Sequence, residues 1–299
     1  MPTFVVLAHN QPELLGRLCR RLAPHRVVVH VDRRVDLNPF RASVAGFADR
    51  VTFLDNRVPI AWAGFSVVQA TIYLYREALL CTERGHHVVL LSGQCYPVRP
   101  IEEFVTYLSE SGYGQHCHAV PLVDAPRHRH RKVARQHFLD LLASDQVRHV
   151  PLNGQRALRR ISEAASLLIP GNALDRRVLY GSQWTAFTTE CIDEMLRVAD
   201  TGGWVTFFRR AFAPDEMFFH TVLHQSRFSG DTPLGGPEVF KLDGIAPQAN
   251  FHLIDKSLIR TFVLSDRSEI EESKRYFVRH VRLPESASLL DALDAAASL

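Results

Sequence analysis

A chain of 299 residues, 33.9 kDa and 46% hydrophobic side chains is sized for one large domain or two small ones, with enough apolar residues for a substantial core. Lysine plus arginine (35) nearly balances aspartate plus glutamate (32), so the formal net charge of +3 fits neither a protein that coats nucleic acid nor an acidic disordered chain. The five cysteines (Cys19, Cys81, Cys95, Cys117 and Cys191) are scattered without a C-x-x-C pair, which disfavours a disulfide framework or a structural zinc site and suits a reducing compartment.

The first third alternates short β-branched runs with amphipathic helical patterns. Phe4–Leu7 reads as a buried strand, reached without the basic and apolar regions of a secretory leader. A helix follows over about Gln11–Leu22, then a strand Val27–Val31, a helix over about Phe65–Cys81 and a strand Val88–Leu91. Strands this apolar imply burial on both faces, hence an α/β fold with a mostly parallel sheet flanked by helices. Ligands of such sheets bind beyond the carboxyl ends of the strands, so the polar tails Ala8-His9-Asn10, Asp32-Arg33-Arg34 and Ser92-Gly93-Gln94 are expected to converge on a site. From Ala125 to Arg135, and again from Arg148 to Arg160, the chain is basic and reads as irregular. Order is expected to return at Arg177–Phe187, with a helix over Glu190–Ala199, an aromatic stretch Trp204–Phe212, and a helix opened by Pro214-Asp215-Glu216. After a glycine- and proline-marked loop at Gly230–Pro237 come a strand near Arg260–Leu264, an acidic helix, the run RYFVRHVR and a last helix from about Ser286. No apolar stretch approaches the roughly 18 residues needed to span a bilayer, so no membrane span is expected and the cytoplasm is the expected location.

The polar residues admit more than one chemistry. Carboxylates after a proline suit any helix N-terminus, where the dipole favours them; held at the rim of a cleft, Glu216 would instead be a general base for a sugar hydroxyl. Asp32, following VVVHV, equally suits a turn or a contact to a nucleoside. Neither G-x-G-x-x-G nor G-x-x-x-x-G-K-[ST] occurs, which removes the usual support for a dehydrogenase or a P-loop kinase. The pairs His116/His118 and His128/His130 lack the spacing of a structural zinc site, and no D-x-D triplet exists to clamp a metal–nucleotide complex, so no metal and no cofactor are expected. A diphosphate would then have to be neutralised by side chains, for which Arg260, Lys274, Arg275, Arg279, His280 and Arg282 are candidates. Strand alternation would put Arg279 and His280 on opposite faces. The segment Arg127–Arg135 has no interleaved aromatics, so nucleic acid is not an expected partner; a loop touching an acceptor, or a solvated surface, fits better.

The ordered series FVVLAHNQPELLGRL, VVVHVDRR, AWAGFSVVQA, VVLLSGQCYPV, GSQWTAF and APDEMFFHTVL resembles the core-2/I-branching β-1,6-N-acetylglucosaminyltransferase family, which includes peptide O-xylosyltransferases and β-glucuronosyltransferases. The likeness runs from about Phe4 to Val281. It implies a single GT-A-like domain over 1–299, with a nucleotide-binding half (1–120) and an acceptor-side half (121–299). It further implies inverting, metal-independent transfer from a UDP-sugar, with Glu216 as base. By the same resemblance Leu7, His9, Asp32 and Trp62 hold the nucleoside end of the donor, and Arg260, Arg279 and His280 its diphosphate. Gln94, Trp184 and Asp215 face the acceptor. Cys95 stands where the family pattern has an aspartate, and His280 where it has a lysine, which makes UDP binding pH-dependent if the imidazole must be protonated. The expected acceptor is a glycan, a lipid-linked glycan or a small natural product, and the expected sugar N-acetylglucosamine. A xylosyl- or glucuronosyltransferase, and an inert UDP-sugar- or glycan-binding module, are the alternatives.

Overall fold

A computed structural model describes residues 1–144, 147, 150–242 and 249–297. Its central sheet has the order β3-β2-β1-β4-β8, built from β1 (Thr3–Ala8), β2 (Arg26–Val31), β3 (Val51–Phe53), β4 (His87–Ser92) and β8 (Ala186–Thr188). The first four strands run parallel and β8 pairs antiparallel with β4. Period-two alternation divides the strand residues between two cores. Val5, Val28, Val88 and Leu90 point to one face, where α3 (Phe65–Cys81) packs Val68, Ile72 and Tyr75 on them. Phe4, Val6, Val27, Val29, Val89 and Leu91 point to the other, against Leu15 and Leu18 of α1 (Pro12–Arg21) and Phe104 of α4 (Ile101–Glu110). Each valine or leucine so buried contributes about 1.5–3 kcal/mol relative to exposure, which is why unbroken apolar runs specify a two-sided sheet.

Two small sheets complete the frame. In the order β5-β10-β9, β5 (Cys95–Pro97) and β10 (Phe277–Arg279) pair antiparallel, so Arg279 lies opposite Cys95, and β9 (His252–Ile254) runs parallel to β10. A third core, including Leu14, Tyr96, Val278 and Leu289, holds this sheet to α1 and to the final helix, Ala287–Ala297. β6 (Ala119–Pro121) pairs with β7 (Leu179–Gly181).

The basic middle of the chain is helical where an irregular segment was expected. Arg127–Ala134 forms α5, Leu139–Leu142 forms α6 and Leu152–Leu168 forms α7. Arg148, in the second basic stretch, lies outside the described residues. Pro126 and Pro151 stand immediately before α5 and α7, and alanine, leucine and arginine inside them are good helix formers, so polarity masked a helical propensity. The expected strand near Arg260–Leu264 is likewise absent. Phe262 makes a single backbone bond to His280, and Asp266 accepts from the Val263 N–H to turn the chain into a short 3-10 helix, Leu264–Asp266.

α3 begins at the cleft described below, and its entry is set by a residue distant in sequence. The Asp140 carboxylate on α6 accepts from the Phe65 N–H at 2.8 Å and the Ser66 N–H at 3.0 Å, supplying the N-terminal cap that Gly64 lacks a side chain to give. A Cβ on Gly64 would lie 2.3 Å from Asp140 Oδ1, so glycine is what lets the carboxylate reach the helix. Asp140→Ala should therefore cost about 1–2 kcal/mol of stability in denaturant unfolding; an unchanged midpoint would show that the cap contributes nothing.

Candidate active site

In the order 3-2-1-4 the chain runs outward from β1 to β3 on one side and then returns to β1's other side with β4, so the topological switch point lies between β1 and β4. The parallel register puts Leu7 beside both His30 and Ser92. Two further bonds, Asp32 N–H to Ala8 C=O and Gly93 N–H to Leu7 C=O, both 2.9 Å, tie the three strand tails together. Above them opens a cleft of about 1170 Å³.

One end of the cleft is organised by Asp32. Its carboxylate accepts from the Arg34 N–H, Nε and Nη2 and from the Ile60 N–H, at 2.7 to 3.1 Å. Burial pushes this carboxyl up, but those donors outweigh it and hold the group below the ordinary aspartate value. Any nucleoside contact to Asp32 must therefore compete with, or be shared by, the Arg34 guanidinium, which also lines the cleft. Leu7 and His9 line the same wall. Burial lowers the His9 pKa, with Asp32 partly opposing, so this imidazole is neutral at pH 7. His30, driven down to about 4 by burial, accepts the Val58 N–H on Nε2 at 3.0 Å, which leaves its proton on Nδ1. Trp62 is 81% exposed at the rim and meets Phe212 edge-on at 5.6 Å, a free aromatic face beside Asp32's wall.

The opposite wall carries the Pro-Asp-Glu turn. Pro214–Glu216 is a 3-10 turn, followed by α10 (Phe218–His224) after α8 (Thr189–Thr201) and α9 (Trp204–Phe208). It is anchored on both flanks of its entry: Phe212 N–H donates to Lys132 C=O and Ala213 N–H to Ala63 C=O, each at 2.8 Å. Ala213 (φ 48) and Ala63 (φ 60) are both left-handed alanines, a strain that the surrounding bonds hold in place. Glu216 Oε2 accepts from Lys132 Nζ at 2.5 Å. Lys132 is 7% exposed and its ammonium sits 5.3 Å from the Phe212 ring and 5.6 Å from that of Tyr180, so it is an ion paired in a largely desolvated aromatic setting. Asp215, next to this pair, is pushed up to about 7, first by burial and then by the Glu216 charge, with Lys132 and Arg279 opposing. Its Oδ1 is buried without a hydrogen-bond partner among the described residues, as a protonated or proton-sharing carboxyl would be.

The floor between the two walls is cationic. Arg279, at the end of β10, reaches under the cleft to the Ser92 hydroxyl and lies 4.0 Å from Cys95 Sγ, with its guanidinium 4.5 Å from the Trp184 ring centroid. Burial pulls its pKa down, with Cys95 and Asp215 opposing, yet a guanidinium stays charged, so a buried cation faces the cleft with no carboxylate in hydrogen-bond contact among the described residues. Cys95, opposite Arg279 in the β5–β10 pair, offers this cation a thiol and no carboxylate. His280 also lines the cleft, contrary to the alternation argument, because β10 stops at Arg279 and the period-two rule stops with it. Burial, then Arg279 and Arg282, drive its pKa to about 4, so it is neutral at pH 7 and the fixed charge is Arg279's. Gln94 lies beside it, its C=O accepting the Val281 N–H at 3.0 Å.

Of the cations singled out from sequence, Lys274, Arg275 and Arg282 do not line the cleft, and neither does Arg260. Its guanidinium binds Asp266 at 2.7 Å and Glu269 at 2.8 Å and lies over Phe262, which makes it a brace for the tail. Lys132 and Arg34 were missed. Lys132 sits in PRHRHRKVAR, which reads as a solvated charge run; the one signal was its place beside Val133, since these two form the buried face of α5. His128 and His130 lie on that helix, so their spacing does not align them as on a strand. Among the described residues no group of three His, Cys, Asp or Glu is placed to hold a metal ion.

A raised carboxyl pKa means that folding favours the protonated acid. Asp215's contribution to stability is thus fully present below about pH 4 and is lost as pH rises towards 7. Asp215→Asn removes that titration, so thermal melts should show the variant gaining on the parent across this window; a pH-independent difference would contradict the assignment.

The family model for Core-2/I-branching enzymes matches residues 3–232. No curated protein matches the sequence significantly. Among solved structures, residues 1–349 of S. aureus TarS are 14% identical over 76% of this chain and 57% of that one, with a TM-score of 0.37. The same protein in complex with UDP-GlcNAc gives 13% over 100% and 68%, with a TM-score of 0.38. Mouse xyloside xylosyltransferase 1, in its apo form, gives 9% over 95% and 99%, with a TM-score of 0.37. The chain thus spans 57% of the length of the first of these structures. With the family's model matched over residues 3–232 of 299, the chain belongs to the Core-2/I-branching enzyme family.

Proposed function

We propose that this protein is a glycosyltransferase that moves a sugar, N-acetylglucosamine before xylose or glucuronate, from its UDP conjugate to a hydroxyl of a glycan, a lipid-linked glycan or a small natural product, with inversion and without a divalent metal. The observation that carries the reading is the placing of two groups across one cleft: the Glu216 carboxylate, held by Lys132, on one wall, and a buried guanidinium, Arg279, in the floor.

In this reading the nucleoside lies along the Leu7–His9–Asp32–Arg34 wall with the Trp62 face beside it, and the diphosphate lies over Arg279. The acceptor hydroxyl gives its proton to Glu216 as its oxygen attacks the anomeric carbon from the side opposite UDP. The carbon–oxygen bond to the β-phosphate breaks and its electron pair leaves with UDP, whose charge Arg279 meets in a desolvated setting, assisted by an N–H of neutral His280. Inversion follows from one displacement. A single carboxylate is enough because UDP leaves as an anion and needs no general acid. D-x-D is lacking, and a fixed cation that supplies the neutralisation otherwise asked of a metal supports the metal-independent form. Lys132 orients Glu216 through Oε2, leaving Oε1 for the acceptor; after transfer the proton passes to solvent.

Glu216→Gln should lower kcat by about 10²- to 10⁴-fold while UDP affinity stays within a few-fold of the parent, as read by steady-state assay and calorimetry. Near-parental turnover would remove Glu216 from the role of base. Lys132→Met should also lower kcat, with UDP affinity kept within a few-fold of the parent, if the ammonium orients the base; an unchanged kcat would reduce the pair to a structural one.

A further inference from the structure

We propose that α7 and the basic surface around it dock the protein onto an anionic lipid bilayer. Along α7, Ala157, Ile161, Ala164 and Leu168 recur at i, i+4, i+7 and i+11 and form one outward stripe. Ile161 is 63% and Leu168 82% exposed, while the helix turns Leu158, Ser162 and Ala165 inward. An apolar stripe so placed covers nothing of the protein's own core.

The charge around it selects the partner. Residues 125–177 hold eleven lysines and arginines against four acids; with Lys132 paired to Glu216 and Arg176 to Asp124, both outside the segment, a net of +5 remains, in a chain whose total is only +3. The helix has one acid, Glu163, and Arg159 pairs with it at 3.0 Å, while Arg156 and Arg160 are exposed. At its end the helix is pinned to α5 by Gly171 N–H to Ala134 C=O at 3.0 Å and Asn172 N–H to Val133 C=O at 2.9 Å, which brings the exposed Arg131 of α5 onto the same surface. A soluble polyanion would meet the arginines but leave Ile161 and Leu168 in water; a bilayer of anionic lipid takes both, apolar side chains into the headgroup boundary and arginines onto the phosphates. No described helix is long and apolar enough to cross a membrane, so the contact is interfacial.

The other side of α7 faces the cleft, which Arg159, Ser162, Glu163 and Ser166 line. Docking on the outward stripe therefore leaves α7 between cleft and lipid and holds this wall of the cleft within one helix diameter, ~10 Å, of the surface. For the transfer proposed above, and resting on that reading, this favours the lipid-linked class of acceptor.

The test is co-sedimentation of the full chain with vesicles of phosphatidylcholine alone and of phosphatidylcholine and phosphatidylglycerol in equal parts. Binding is expected only to the anionic vesicles, weakening with salt. Ile161→Asp with Leu168→Asp, and separately Arg156→Gln with Arg160→Gln, should each cost about tenfold or more in vesicle affinity. Melting temperature and UDP affinity should stay at parental values, which separates this surface from the catalytic site. If the aspartate pair fails to fold, Ile161→Ser with Leu168→Ser carries the same expectation. Absence of binding to anionic vesicles overturns the proposal. So does binding that the stripe variants leave intact and that a soluble polyanion, heparin, matches.

Discussion

The parallel pairing of β1 with both β2 and β4 is the constraint on which the site depends. Because Leu7 stands level with His30 and Ser92, three strands end at one height, and their next residues must turn into the same space. The apolar faces of these strands allow no other register, since a slip of one residue would exchange Val5, Val28 and Val88 with Phe4, Val27 and Val89 between the two cores. The energy that fixes the cleft is thus hydrophobic and spread over the sheet, while the polar groups at its rim are free to serve chemistry.

Those polar groups fall into three sets that balance charge differently. Asp32 and Arg34 neutralise each other on one wall, and Lys132 and Glu216 on the other, so both walls are stable without a ligand. Arg279 in the floor touches Ser92, Cys95 and Trp184 and no carboxylate among the described residues, with Asp215 acting on it only at longer range. An unpaired buried cation costs folding energy, and it is the kind of cost met at sites whose partner is a substrate. Cys95, opposite Arg279, is part of that imbalance: a carboxylate at this position would answer the guanidinium from within the protein.

Much of this frame was legible in the sequence. The strands β1, β2 and β4 and the helix Phe65–Cys81 follow from apolar runs and periodicity alone, and the convergence of the His9, Asp32 and Gln94 tails follows from the topology of parallel sheets. The illegible parts share a cause, which is that charged residues were assigned to solvent. Lys132 reads as one more member of a basic run, and only the packing of α5 shows that it turns inward to Glu216. Arg260 shows the reverse error: its charge fits a phosphate, but Asp266 and Glu269, six and nine residues on, already satisfy it. The helix Leu152–Leu168 was hidden in the same way, its arginines drawing attention from the alanines and leucines between them.

The central claim is that a protein cation, Arg279, takes the place of a metal at the diphosphate. Calorimetric titration of UDP into the full chain in excess EDTA, with Arg279→Met in parallel, tests it most directly. The account predicts binding by the parent in EDTA and its loss, by about tenfold or more, in the variant with the fold retained. Binding that needs added manganese, or that Arg279→Met leaves unchanged, would contradict it.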